Sequence, residues 1–439
     1  MAAPNTTVYL DNAATSPMSA AALAAYVAAA EQVGNASSLH AYGRRARGLV
    51  EDAREAVAAA LDAHPTEVIF THGGTEANNL AIKGTYWAHA GRLLRPRSYG
   101  ASKPPGQPDR LDMAHPPDLL LSAIEHHSVL EPAQWLRDCQ GANLNLIPVN
   151  AYGVISLSYL AEHISDDLAL ISVMLANNEI GTIEPIQQVV EIAHQHKVPV
   201  HTDAIAALGQ VPVRFNELGV DLLSIAGHKV GGPVSSGALL AKRSVKLQGL
   251  VQGGGQERNL RAGTLDVPAI AAFGVAVTEA VANQPAHGHQ LAKLRDDLII
   301  PVLASIPDAT LQGPPILESA STSGALRQTS GANFVPEPPL AVAAAAPIPR
   351  LPGNALFTFA NTTADTLLFL LDQASIAASA GAACSAGVAE PSHVLLACGV
   401  PPELARGAIR FTLGPATTQA DIDYVCEVLP GIVAQAQQV

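Results

Sequence analysis

Short apolar runs alternate with helical patterns through the middle of the chain, and this alternation constrains the fold more than any other feature of the sequence. Seven runs are predicted to be strands: 68–70, 118–123, 145–149, 169–176, 198–202, 221–226 and 237–241. Between two of them, residues 185–197 carry apolar side chains at 186, 189, 190 and 193, the spacing of an amphipathic helix. Strands that alternate with helices favour an α/β fold, in which helices cover both faces of a mostly parallel sheet.

Other parts of the chain depart from this pattern. Residues 91–117 and 315–349 are rich in proline or in small polar residues and lack apolar periodicity, so we predict two inserted, mobile surface loops. From residue 364 onward the pattern changes to an α+β character. This change predicts a second, smaller domain.

Composition limits the classes of function. The 439 residues carry a net charge of −13, which argues against a nucleic-acid or anionic-membrane partner. The four cysteines form no CxxC pair and no zinc-type cluster, so we expect no metal site and a reducing compartment. The N-terminus lacks the pattern of a signal or transit peptide, and no run of 18 apolar residues occurs. We therefore expect a cytoplasmic protein without a membrane span.

Two charged residues follow consecutive predicted strands. Asp203 comes at the end of one apolar run and Lys229 comes shortly after the next, so both are expected at the same edge of the sheet, where ligands bind. A lysine there can form a Schiff base with an aldehyde cofactor, and an aspartate can hold a protonated pyridine nitrogen. Taken singly, each residue is more often a surface group or a member of an ion pair.

The segment after residues 68–70 has the pattern of an anion-binding turn. Two glycines and Thr75 lead from the predicted strand into a helical pattern, whose first N–H groups could bind a phosphate. A simple N-cap at Thr75 explains the same residues equally well. A second glycine-rich stretch, 252–264, matches neither GxGxxG nor the P-loop, but its two arginines suggest a backbone held close to an anion.

Polar side chains follow other predicted strands. His126 could stack on a cofactor ring and transfer protons, although a surface histidine pair with His127 is the simpler interpretation. Asn178 could bind a ring hydroxyl or a substrate carboxylate. Arg410 lies in a strand-like run and could bind a carboxylate through its two-pronged guanidinium group.

One cysteine differs from the other three in its surroundings. Cys384 lies among small residues and glycines, which is typical of an exposed loop and makes it the candidate nucleophile. Cys139, Cys398 and Cys426 have the sequence context of ordinary structural cysteines.

Taken together, these motifs resemble the cysteine desulfurases and selenocysteine lyases, a class V branch of the fold-type-I pyridoxal-phosphate enzymes. The resemblance runs from residue 9 to residue 418, apart from the two insertions. The matching blocks occur in the family's order: YLDNAATSP, GNASSLHAYGRRAR, FTHGGTEANNLAI, EHHSV, MLANNEIG, HTDAIAALG, GHKVGGP, GGGQERNLRAGT, SAGAACSAG and AIRFTLG. It implies a large cofactor-binding domain at 16–275, with a seven-stranded sheet, and a small domain formed by 1–15 and 276–439.

The resemblance also implies roles for individual residues. Lys229 would bind pyridoxal 5′-phosphate covalently, Asp203 would pair with its ring nitrogen, and His126 would stack on the ring. Contacts to the phosphate are implied for Gly74, Thr75, His228 and, from the partner subunit of a homodimer, Thr264. Asn178 would contact both cofactor and substrate, Asn35 and Arg410 would bind the substrate, and Cys384 would attack its sulfur or selenium.

The implied reaction cleaves L-selenocysteine or L-cysteine to L-alanine and leaves a selenopersulfide or persulfide on Cys384, for delivery to an acceptor protein. The motifs favour selenocysteine slightly. A cysteine desulfurase that supplies sulfur for iron–sulfur clusters or tRNA thiolation is nearly level with it. Ala206 and Ala226 replace a glutamine and a serine that contact the cofactor in the family, so looser cofactor binding is expected. A class V enzyme with different chemistry and a non-catalytic sulfur-transfer scaffold are the remaining alternatives.

Overall fold

The computed structural model describes residues 7–93, 116–316, 349–381 and 390–438. The strands are β1 (Val8–Tyr9), β2 (Val68–Thr71), β3 (Asp118–Ser122), β4 (Asn143–Ile147), β5 (Leu168–Ser172), β6 (Val200–Asp203), β7 (Leu222–Ala226), β8 (Gly237–Ala241), β9 (Ala309–Leu311), β10 (Asn354–Phe359), β11 (Ile376–Ala377), β12 (Ser379–Ala380) and β13 (Ala408–Thr412). The helices are α1 (Ala20–Ala30), α2 (Ala41–Ala60), α3 (Gly74–Leu93), α4 (His127–Gln140), α5 (Leu157–His163), α6 (Ile186–Gln195), α7 (Phe215–Leu218), α8 (Val267–Ser305), α9 (Ala364–Gln373), α10 (His393–Ala397), α11 (Pro402–Ala405) and α12 (Gln419–Ala436).

The seven strands from β2 to β8 form one sheet in the order β2-β8-β7-β6-β5-β3-β4. Neighbouring strands are parallel except at β8, which is antiparallel to both β2 and β7. The predicted mostly parallel, seven-stranded α/β sheet is therefore confirmed. Strand β4, predicted at 145–149, begins and ends two residues earlier than predicted. It ends before Pro148 because proline has no N–H group to donate to a ladder.

Helices cover both faces of this sheet. One face packs against α2, α6 and the first half of α8 through side chains such as Val57, Val189 and Phe273. The other face packs against α3 and α4 through side chains such as Leu80 and Val129. Because both faces are buried, the central strands are continuously apolar rather than alternating, as in the fully buried Leu222–Ala226.

A second sheet is antiparallel and has the order β12-β13-β10-β9. Its core includes side chains from α9, α12 and the second half of α8, among them Leu298 and Leu367. The parallel pair β1–β11 joins the start of the chain to this region. Helix α8 thus contributes to both cores, and the expected domain boundary at 275/276 lies inside it. The division into two domains remains a prediction.

Helix α8 is long and apolar enough, by length and composition, to cross a membrane. Many of its apolar side chains belong to the two cores or contact α1 and α2, as in a core helix of a globular protein, whereas Ile300 is exposed. Most of the two predicted insertions, and Cys384, lie outside the described residues. Residues 91–93 of the first insertion belong to the end of α3.

Candidate functional site

The ends of several strands converge on a cavity of about 270 Å³. Eight of the predicted site residues line it: Gly74, Thr75, His126, Asn178, Asp203, His228, Lys229 and Arg410. The large sheet and its loops contribute the first seven, and β13 of the small sheet contributes Arg410. Asn35 and Thr264 are exposed and do not line this cavity.

Lys229 ends the single 3-10 turn that follows β7. Its Nζ donates hydrogen bonds to the carbonyl oxygens of Ala13 and Ala14. These hydrogen bonds hold the N-terminal segment against the cavity. Desolvation lowers the pKa of Lys229 to about 8; the positive charge of Arg410 adds to this effect, while Asp11 and Asp203 oppose it. The ammonium group therefore gives up its proton more readily than an ordinary lysine.

Asp203 is a buried carboxyl group at the end of β6. Its Oδ1 accepts the backbone N–H of Ile205 at 2.9 Å, and its Oδ2 accepts the side-chain amide of Asn78 at 2.7 Å. Burial raises the pKa of Asp203, whereas the charges of His126 and Lys229 and these hydrogen bonds counteract the rise. Asp203 and Lys229 thus lie in the same cavity, as their positions after consecutive strands predicted.

The N-terminus of α3 lines the cavity with Gly74 and Thr75. A Cβ at Gly74 would lie 2.2 Å from Cδ1 of Ile205 and 3.3 Å from Cβ of Ala226, so only glycine fits without displacement. The helix start directs unpaired N–H groups and a partial positive charge toward the cavity. Desolvation, together with the nearby charge of Lys229, lowers the pKa of His228 to about 4. The His228 ring, which also lines the cavity, is therefore neutral near pH 7.

Arg410 is buried, and only some of its N–H donors have hydrogen-bond partners among the described residues. Its Nη1 donates to the carbonyl oxygen of Asn178 at 3.1 Å, and its Nη2 donates to Asp11 at 3.1 Å. Its Nε has no hydrogen-bond partner among the described residues. The guanidinium group belongs to a residue that lines the cavity, and such a group can bind an anion there.

His126 is the N-cap residue of α4 and is open to the cavity. Its Nδ1 accepts the backbone N–H of Ser128 at 3.0 Å and lies 2.7 Å from Ser128 Oγ. Desolvation by the surrounding protein lowers the pKa of His126, with the positive charge of Lys229 adding to that effect and Asp203 opposing it. The ring is consequently biased toward its neutral form.

The described cysteines do not line the cavity. Cys398 is buried, and burial together with Glu179 and Glu184 raises its pKa to about 12, so its thiol is unreactive at neutral pH. Cys139 is exposed, so the structural role inferred from its sequence context was wrong: it lies near the end of α4, on the solvent side. Cys384 lies outside the described residues, although Gly381, three positions earlier, lines the cavity.

A comparison with protein-family models identifies the family of this chain. The family model described as "Aminotransferase class-V" matches residues 8–94, 113–334 and 335–425, which is most of the chain. The chain belongs to the class V aminotransferase family. The family resemblance inferred from the motifs is therefore confirmed.

Two relatives within this family are similar to the chain over nearly its whole length. An "IscS-like cysteine desulfurase" of Mycobacterium tuberculosis is 43% identical over 432 residues, which cover 98% of this chain and 97% of that protein. A "Cysteine desulfurase IscS" of Dictyoglomus turgidum is 38% identical and covers 98% of this chain and 96% of its own length. This class V chain is thus similar to cysteine desulfurases along its whole length.

Solved structures give the same fold. A "NifS-like protein" superposes with a TM-score of 0.79 at 29% identity, covering 98% of this chain and 100% of its own. A structure described as "SspA in complex with cysteine" has a TM-score of 0.70 at 27% identity, covering 94% of this chain and 100% of its own.

The cavity of this class V protein also contains polar residues that the sequence did not single out as functional. Glu125 is fully buried, its Oε1 accepts the backbone N–H of Met174, and burial raises its pKa well above the usual range. Glu179 is also buried, accepts the Ser392 hydroxyl, and has a pKa raised by burial to about 7. Each follows an apolar run within a matching block, a position that could have marked them.

Among the described residues, no group of three or more histidine, cysteine or acidic side chains could hold a metal ion.

Proposed function

We propose that this protein is a pyridoxal-phosphate-dependent cysteine desulfurase, which converts L-cysteine to L-alanine and transfers the sulfur to Cys384. The observation that carries the proposal is the convergence of Lys229, Asp203 and Arg410 on one cavity. The names of the similar proteins support it, as does the neighbouring structure described as a complex with cysteine.

The cavity residues fit the cofactor at three points. Lys229 offers an amine of lowered pKa for the aldehyde, and the Asp203 carboxylate can face a protonated pyridine nitrogen. The N-terminus of α3 at Gly74, with Thr75 and His228, can hold the phosphate. Ala206 and Ala226 line the same cavity without offering polar groups, so contacts that the family usually makes there are missing.

The bound cofactor would supply an electron sink for negative charge that develops on the substrate. Arg410 would bind the substrate carboxylate through its guanidinium group, since it lines the cavity next to Asn178. Lys229, with a pKa of about 8, can accept a proton from the substrate carbon and return one near neutral pH. Asp203 would keep the pyridine nitrogen of the cofactor protonated throughout the reaction.

Cys384 would complete the reaction. It follows Gly381 on the cavity wall by three positions, a span of at most about 11 Å. Its thiolate would attack the substrate sulfur, so that an S–S bond forms and the carbon–sulfur bond breaks. The electron pair of the broken bond stays with the substrate carbon, which is protonated to give alanine. The product on the protein is a persulfide, and release of that sulfur requires a thiol or another acceptor.

Selenocysteine remains the second candidate substrate, since the same atoms would carry out the same cleavage and the motifs slightly favoured it. We further infer a cytoplasmic homodimer in which Thr264 of one subunit approaches the phosphate site of the other. Asn35 would join the substrate site in the same assembly. Domains at 16–275 and at 1–15 with 276–439 are part of this proposal.

Alanine formation by the reconstituted protein tests the proposal. Wild type loaded with pyridoxal phosphate should show the visible absorption of a lysine-bound cofactor, and Lys229→Ala should not. Cys384→Ala should keep this absorption and lose alanine formation from cysteine by roughly 100-fold or more. Cys139→Ala removes an exposed cysteine that does not line the cavity and should match wild type.

Each outcome has a defined consequence. Absence of bound cofactor in wild type would exclude the enzyme and leave the scaffold alternative. Full activity of Cys384→Ala on cysteine would exclude the persulfide step. If Cys384→Ala lost activity on cysteine but kept it on selenocysteine, a selenocysteine lyase would be indicated.

A further inference from the structure

A buried amide connects the carboxylate of the cavity to the serine beside its histidine. Asn78 is fully buried on α3, and its Nδ2 lies 2.7 Å from Asp203 Oδ2 and 2.8 Å from Ser128 Oγ. An ionised carboxylate only accepts hydrogen bonds, so the amide must present its NH₂ group and not its oxygen to Asp203. Both N–H bonds of that group are then used, one on Asp203 and one on Ser128.

The direction of the next hydrogen bond follows from this arrangement. Since Ser128 Oγ accepts from Asn78, its single proton is available for His126 Nδ1, 2.7 Å away. The backbone N–H of Ser128 is directed at the same Nδ1 at 3.0 Å. Two donors on one ring nitrogen require that this nitrogen carries the lone pair. In the neutral ring the proton must therefore be on Nε2.

We propose that Ser128, oriented by Asn78, is a positioning residue that holds His126 as the neutral Nε2–H tautomer. The ionised Asp203 carboxylate thereby contributes, through two intervening side chains, to the choice of tautomer, in addition to the backbone N–H of Ser128. His126 then presents a hydrogen-bond donor at Nε2, which has no partner among the described residues and belongs to a ring that lines the cavity.

The charged and titratable groups around the ring are compatible with a neutral form. They come from α4 itself, from the ends of β6 and β7, and from α10: His127, Glu131, Asp203, Lys229 and His393. Asp203 and Glu131 favour a protonated His126, whereas Lys229 and His127 disfavour it. Desolvation has the largest effect and also disfavours the charge. Protonation at Nδ1 would in addition place an N–H against the Ser128 N–H.

One consequence rests on the proposed function. A ring with Nδ1 occupied and Nε2 protonated has no lone pair available to the cavity, so His126 can donate a hydrogen bond at Nε2 but cannot take a proton from the Cys384 thiol. That proton must therefore go to another group. The proton transfer considered for His126 from the sequence is therefore replaced by hydrogen-bond donation.

The tautomer can be measured directly in the protein without added cofactor. Nitrogen-15 NMR of histidine-labelled protein separates protonated from lone-pair ring nitrogens, and His126→Gln assigns the signals. Near neutral pH we expect a lone-pair signal for Nδ1 and an N–H signal for Nε2. In Ser128→Ala the pKa of His126 should rise by roughly 0.5–1 pH unit, which corresponds to loss of one hydrogen bond, and Ser128→Thr should restore it.

Ser172→Ala is the matched control, since it removes the hydroxyl group beside Nδ1 of a different histidine, the buried His201, and should leave the His126 signals unchanged. A lone-pair signal at Nε2 in wild type would overturn the proposal, as would an unaltered His126 pKa in a folded Ser128→Ala. These measurements use no substrate. They therefore stand or fall separately from the cysteine desulfurase activity.

Discussion

At the scale of single residues, the charge of Lys229 depends on its neighbours. Desolvation by the protein and the positive charge of Arg410 disfavour the ammonium form of Lys229. The negative charge of Asp11, which also accepts a hydrogen bond from Arg410, favours the ammonium form. The resulting pKa of about 8 leaves a substantial fraction of free amine near neutral pH, against a usual value of about 10.4. A lysine in this state suits covalent binding of an aldehyde.

We predict that acylation of Lys229 by an amine-specific reagent reaches half its maximal rate near pH 8. Because Arg410 lowers the pKa of Lys229, Arg410→Gln should move this midpoint to higher pH. Mass spectrometry of the labelled peptide gives the rate at each pH, and the exposed Lys246 serves as an internal standard. A midpoint in Arg410→Gln at or below that of wild type would contradict the assigned electrostatics.

At the scale of elements, the N-terminus of α3 packs against the loop after β6. The contact is close because Gly74 has no side chain: an added Cβ would lie 2.2 Å from Ile205 Cδ1. The neighbouring atom is the end of a flexible side chain, so the packing can adjust at a cost. This contact sets the position of the N–H groups that would hold the cofactor phosphate.

We predict that Gly74→Ala weakens binding of pyridoxal phosphate by about 1–3 kcal/mol, the usual cost of overpacking. Ile205→Val deletes the Cδ1 atom itself, so the double variant should recover much of the lost affinity. Fluorescence titration of the apoprotein with cofactor measures each dissociation constant, and Ile205→Val alone is the control. Equal affinities of Gly74→Ala and wild type would show that the contact does not position the helix.

The large elements were predictable because their apolar periods are local. All seven strands of the large sheet, and the placement of Asp203 and Lys229 at its edge, follow from runs that can be read within a few residues. The hydrogen bonds behind them are not local: Asn78 reaches Asp203 across 125 residues. Strands of two residues, such as β11 and β12, have too few positions to show any period. Sequence alone therefore brought Asp203 and Lys229 to one cavity but did not predict the hydrogen bonds that orient their neighbours.

At the scale of the whole molecule, buried carboxyl groups couple folding to pH. Glu184 is almost completely buried; its Oε2 accepts the backbone N–H of Ile155, and its Oε1 has no partner among the described residues. Burial raises the pKa of this carboxyl to about 8, against an ordinary value of 4.5. The folded protein thus binds a proton here that the unfolded chain releases above about pH 4.5.

The sign of the effect on stability follows from that difference. A carboxyl group with a raised pKa stabilises the folded state fully below its unfolded pKa, and this contribution is lost as the pH rises through about 8. Glu184→Gln removes the ionisation while keeping the shape. We therefore predict that the variant and wild type have similar free energies of unfolding near pH 4.5, and that the variant becomes more stable by about 2–5 kcal/mol above pH 8.

Urea unfolding at a series of pH values measures this difference. The exposed Glu162 on α5 provides the matched control, since Glu162→Gln makes the same chemical change away from the buried site. A difference between Glu184→Gln and wild type that stays constant with pH would mean that Glu184 does not titrate on unfolding. A difference that grows over the interval from about pH 4.5 to about pH 8 would show that ionisation of Glu184 lowers the stability of the wild type there.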